Sequence, residues 1–226
     1  IEDLPIDTGS LSLDQTSSVD VVENSIVINA SGDVDSAGRI YANNLNANVA
    51  GTTTNSGEIS SAEALSLNTD GLNNQVGGNI QAQGELQLNA GSQGIQSLGS
   101  IQTEQQLAIS SAGNASLGGT VSGQAITADS QADLTVTGSF TSPGEVSITA
   151  QGQLSNSGTI ASELDVNLTA GSVDNQAGGL ISSQAVISAN VTGLLANNGQ
   201  LLTQQVLNLN AGSVDNQAQG VIESVL

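Results

Sequence analysis

Gly158-Thr-Ile-Ala-Ser-Glu-Leu-Asp-Val-Asn-Leu-Thr-Ala-Gly-Ser-Val-Asp-Asn-Gln-Ala-Gly-Gly179 is one complete unit of a repeat, and its reading decides the fold. Ile160 stands two residues after the opening glycine. Val166 and Leu168 alternate with polar residues, and Val173 comes two residues before Asn175 near the closing glycine. The same order returns in both directions. Gly38, Gly57, Gly78, Gly99, Gly119, Gly138, Gly158, Gly179, Gly199 and Gly220 each open a unit, at intervals of 19 to 21 residues. Self-similarity at such a period marks stacked repeats, in which no unit buries its apolar face alone.

The columns of the repeat are chemically uniform. Two residues after each glycine lies Ile40, Ile59, Ile80, Ile101, Val121, Phe140, Ile160, Ile181, Leu201 or Ile222. Only Leu201 is neither β-branched nor aromatic, which favours strand over helix. Two residues further on every side chain is small (Ser142, Ser162 and Ser183 are typical), as a tapering corner requires. A second strand alternates with period 2 through pairs such as Leu65/Leu67, Leu107/Ile109 and Val146/Ile148. A weaker third strand carries Leu72, Leu154, Val173 and Val214, followed by Asn55, Asn74, Asn156, Asn175, Asn197 or Asn216 just before the closing glycine. Length variation falls between these strands. The fixed glycine demands either φ > 0 or space without a side chain.

Three short strands per ~20 residues predict an all-β fold, a right-handed parallel β-helix whose coils share one aliphatic lumen. At about 4.8 Å per coil the rod is on the order of 50 Å long. The alternation and the glycine column argue against an α-solenoid. Residues 39–226 read as regular repeats. Residues 1–38 read as degenerate first coils or a cap, with Val19 and Val21 in a first strand and Ser25–Ala30 as a second. That stretch holds eight of the 21 acids, Glu2 among them. Leu226 stops six residues into a coil, and Ile1 is not an initiator methionine, so we expect a piece of a longer protein.

Composition removes whole classes of function. Lys+Arg is 1 against Asp+Glu 21, a net charge of −20. Arg39 alone cannot neutralise a phosphate backbone, so no nucleic acid is expected as a partner. Cys, His, Met and Trp are missing, which excludes disulfides, Cys/His zinc sites and a Ser-His-Asp triad. The net charge keeps rods apart and predicts a monomeric rod.

The units 66–78, 167–179 and 208–220, built as Leu-x-x-x-Gly-Leu in the first and Leu-x-x-Gly-Ser-Val in the other two and followed one residue later by Asn-Gln, resemble filamentous haemagglutinin repeats. The resemblance covers roughly residues 39–226. It implies the shaft of a two-partner-secreted exoprotein of Gram-negative bacteria, either a filamentous adhesin or a growth-inhibition effector. It further implies an outer-membrane transporter as export partner, display at the cell surface or secretion, and a receptor on a host or neighbouring cell. Val22-Glu-Asn-Ser25 brushes against the motif that precedes growth-inhibition toxins but lacks its second Asn.

Several residues are candidates for a site. Glu145 and Asp165 share an outward column on adjacent coils, with Ala64, Glu85, Gln106, Ala125, Ala185 and Val206, a spacing that suits a glycosidase pair or a calcium site. A solvated face with a mildly repulsive pair is the better reading. Asp174 and Asp215 recur with the repeat and serve the bend. Asp33-Val-Asp35-Ser-Ala-Gly38 carries a trace of a calcium loop, but Ala37 and Asn44 stand at ligand positions, so it reads as a turn. Asn29, Asn114, Asn167 and Asn190 begin Asn-x-Ser/Thr triplets that arise by chance in this composition. Tyr41 beside Arg39 is the one pairing a binding surface would favour. The inward Asn column reads as architecture, amides bonding the bend and one another. No catalytic, cofactor-binding or metal-binding residue is assigned, and no cofactor or enzyme activity is expected.

Overall fold

The computed structural model describes residues 3–225; Ile1, Glu2 and Leu226, and the expectations that touch them, lie outside the described residues. Among the described residues there is no helix. The chain winds into a parallel β-solenoid of about 11 turns. Every strand pairs in parallel with its counterpart one coil away, as in Ile101↔Val121, Val121↔Phe140 and Phe140↔Ile160.

All three strand columns run the length of the rod. The first strand places Ile40 through Leu201 in the lumen, with Phe140 and Ile160 fully buried. The second contributes pairs such as Leu86/Leu88 and Val166/Leu168. The third is more complete than the sequence pattern suggests: Val34, Thr53, Leu72, Ile95, Ala115, Leu134, Leu154, Val173, Leu195 and Val214 stack in that order. Thr53 and Ala115 hide this column in the sequence, and so does the variable bend before it. Register shifts gather in that bend, between Val49 and Thr52, Ala150 and Gln153, Ala170 and Val173, and Val191 and Leu194.

Residues 4–38 continue the same winding. Leu4–Thr8 pairs with Ile26–Ala30, Leu11–Leu13 with Val34–Ser36, and Ser18–Val21 with Arg39–Ala42.

The glycine column is a matter of space. Among the described residues, positive φ occurs only at Gly77, Gly94 and Gly178, none of which opens a unit. A Cβ on Gly138 or Gly158 would instead overlap the carbonyl oxygen of Gly119 or Gly138, one coil away. That oxygen accepts the N–H that follows the next glycine: Ser139 to Gly119 and Thr159 to Gly138, both at 2.9 Å. Coils can close on one another at this corner only if no side chain intervenes.

Two polar columns seal the corners. Ser142 Oγ donates to the Gly123 carbonyl at 2.9 Å and accepts the Gly144 N–H at 3.0 Å. Ser162 repeats this with Gly144 and Leu164, and Thr203 donates to Ala185. These residues are therefore hydroxyls tied to the bend as well as small side chains in a tapering corner. At the third corner, Asn156 Nδ2 donates to Asn175 Oδ1 at 2.8 Å, Asn175 to Asn197 at 2.7 Å, and Asn197 to Asn216 at 2.8 Å. Each of these amides also donates to the first carbonyl of the coil after next, those of Leu180, Gln200 and Val221 respectively. A buried amide without such partners would cost about 1–3 kcal/mol.

Candidate functional site

The outward carboxylates are the candidate site that the sequence offers. Val146 pairs with Val166, so Glu145 and Asp165 are neighbours one coil apart, as their spacing predicts. The register also places Val186, rather than Ala185, next to Asp165, because Val166 pairs with Ile187. Both carboxylates already have partners. Asn167 Nδ2 donates to Glu145 Oε1 at 2.7 Å, and the Val186 N–H donates to Asp165 Oδ1 at 3.1 Å.

The same use of acids recurs at the bends. Asp33 Oδ1 accepts the Thr52 N–H at 2.8 Å, Asp70 Oδ1 the Ser92 N–H at 3.1 Å, and Asp133 Oδ1 the Gln153 N–H at 2.8 Å. Each carboxylate thus serves a backbone donor one coil on, where the register shift or bend interrupts the ladder. Sequence reasoning missed this role, since it requires knowing which N–H the bend leaves over. Asp33 belongs to such a clamp, and Asp35 lies exposed on the third strand. Asp174 and Asp215 lie outward on third strands two coils apart, with Ala196 between them. Asp70 is held below the usual carboxylate range, chiefly by the Gln93 amide and then by the Ser92 N–H. Asp14 is lowered as well, by the Ser17 and Thr16 hydroxyls and the Thr16 N–H. Among the described residues no three His, Cys, Asp or Glu side chains converge as a metal site would need.

The Arg39–Tyr41 pairing is engaged internally. Arg39 bridges Asp20 and Glu58, one coil to either side, at 3.3 Å each, and its guanidinium lies 4.6 Å from the centre of the Tyr41 ring. One cation thus ties three coils together. An open groove of 640 Å³ runs along first strands and bends from Ser122 to Val225. Ser142, Ser162, Ser183 and Thr203 in its wall spend their hydroxyls on the carbonyls of the preceding bend, and its charged lining residues, Glu163 and Glu223, are both acids.

The family model for the haemagglutinin repeat matches residues 7–42, 40–119, 97–158, 144–199 and 159–225, almost the whole chain. The chain belongs to the haemagglutinin repeat family. No curated protein and no solved structure gives a match. In this haemagglutinin repeat protein the overlapping matches follow the coils, and the first, 7–42, includes the stretch before the first regular unit. The positions the repeat holds constant are the ones that touch neighbouring coils: the packed glycine, the lumen apolars, the corner hydroxyls and the Asn ladder.

Proposed function

We propose that this chain is a non-enzymatic shaft segment of a surface-exposed or secreted bacterial filamentous adhesin or growth-inhibition effector, and that it presents a distal binding or toxin region. The observation that carries the reading is where the polar chemistry goes. Carboxylates such as Asp33, hydroxyls such as Ser142, the Asn amides and the single cation join one coil to the next, and the lumen columns continue past them. Such a rod transmits load along its axis through inter-coil backbone hydrogen bonds. A chain with no Cys and only two aromatics also suits passage in an unfolded state through an outer-membrane transporter. Its net charge of −20 favours a rod that stays monomeric.

The test is attachment. Beads coated with the chain should adhere to bacterial or animal cells no better than beads coated with an inert protein of equal charge. Saturable adhesion that soluble chain competes away would replace the shaft reading with that of a receptor- or glycan-binding module.

A further inference from the structure

The rod is not uniform along its axis. In most coils the second and third strands run on as one, as in Leu86–Ser97, Val146–Asn156 and Ile187–Asn197. In two central coils they are split: Gln106–Ser111 from Ala115–Leu117, and Ala125–Ser130 from Leu134–Val136. The same coils break the corner ladder, for Leu117 and Val136 occupy the Asn position. The ladder has a direction, each Nδ2 giving its proton to the Oδ1 one coil further on. The first member of a run therefore needs a donor behind it. Asn156 has Val136 there, and its Oδ1, on a side chain that is 0% exposed, accepts nothing. Asn55, the first member of the other run, has an unpaired Oδ1 as well, beside the unpaired Ser36 Oγ, but it lies near the amino-terminal end of the described rod.

A second loss falls at the joint before the one between Val136 and Asn156. Gly123 replaces the Ser or Thr of the hydroxyl column, so coil 120–138 sends no hydroxyl back to coil 100–119, whereas Ser142 does reach back to the Gly123 carbonyl. The first-strand ladders on both sides of coil 120–138 are three residues long, 100–102 with 120–122 and 120–122 with 139–141, whereas Ser139–Ser142 pairs with Thr159–Ser162 over four. Val121 and Phe140 fill the lumen here, so what this coil lacks is polar pairing rather than apolar packing.

We infer that coil 120–138, with the joint on either side of it, is the weakest interior stretch of the rod, the place where it yields before its flanks under heat or load. The inference goes beyond the shaft reading and does not depend on it, since it concerns the order of opening and not what the rod carries. In a stack whose stability is a sum of repeat and interface contributions, an interface with an unpaired buried acceptor opens more often than its neighbours.

Hydrogen exchange read by mass spectrometry tests this on the intact chain. Apart from the two fraying ends, protection should pass through an interior minimum over 120–156, lower by about tenfold than over 166–197. Val136→Thr keeps the shape of the side chain and offers a hydroxyl to Asn156 Oδ1. It should raise protection at the joint between these two residues and leave the melting temperature equal or higher. Val173→Thr, in an apolar column with no unpaired acceptor, should lower both. Flat protection from 120 to 197 would overturn the inference, as would equal losses from the two Thr substitutions. If Val136→Thr does not fold, the exchange profile of the parent still decides.

Discussion

At the scale of single residues, the constant positions of the repeat separate by physical cause. Gly138 and Gly178 are both turn glycines in the sequence, yet they fail differently when given a side chain. Gly178 has φ of 86° and open space around it, so Gly178→Ala should cost only the left-handed backbone penalty, about 1–2 kcal/mol. Gly138→Ala sets a methyl against the carbonyl that joins two coils. It should lose that joint too and destabilise by more, roughly 3 kcal/mol or above. Urea unfolding of the two variants checks the order, and equal losses would contradict it. The sequence showed that a glycine is required at the head of each unit; whether for conformation or for space was not legible, because the obstructing atom lies some twenty residues away. The Ser/Thr column was legible only as small for the same reason. Its acceptors, such as Gly123 O for Ser142, belong to another coil.

At the scale of elements, the strands were readable and the bends were not. Period-2 alternation and β-branched residues marked the first two strands without reference to the structure. The third strand has inward residues as unlike as Thr53 and Ile95 behind a bend whose register shifts, so only part of it showed. The candidate site suffered similarly. The adjacency of Glu145 and Asp165 follows from the period, whereas their bonds to Asn167 and the Val186 N–H do not. Glu145→Gln with Asp165→Asn keeps an oxygen acceptor for both donors and removes only the like-charge repulsion. The double variant should be more stable at low salt by no more than about a few tenths of a kcal/mol, a gain that shrinks as salt rises. Calcium should shift the melting of neither protein, and a calcium-dependent rise confined to the parent would restore a ligand site at this face. Asp70 adds a pH dependence of definite sign. Its carboxyl is held below 3.8 in the folded chain, so its contribution is present above that pH and is lost as pH falls through the lowered value. Asp70→Asn should therefore be less stable than the parent at pH 7, and the difference should vanish in strong acid. A difference that persists unchanged at pH 2 would mean that the charge plays no part.

At the scale of the whole molecule, each coil is an exchangeable segment of a rod, defined by how it meets its neighbours. Removing residues 159–179 takes out one complete turn and joins Gly158 to Leu180. Val146 and Ile148 then stack on Ile187 and Ala189, and Phe140 meets Ile181. The ladder closes as well, with Asn156 donating to Asn197 in place of Asn175. Removing residues 159–168 takes out about half a turn, leaves every later strand without its counterpart, and turns lumen residues toward water. Thermal unfolding followed by circular dichroism compares the two directly. The chain lacking 159–179 should keep the parent's β-sheet spectrum and a cooperative transition, while the chain lacking 159–168 should lose both over the coils that follow the cut. Collapse of the whole-turn deletion, or equal tolerance of the two, would contradict this picture of the rod.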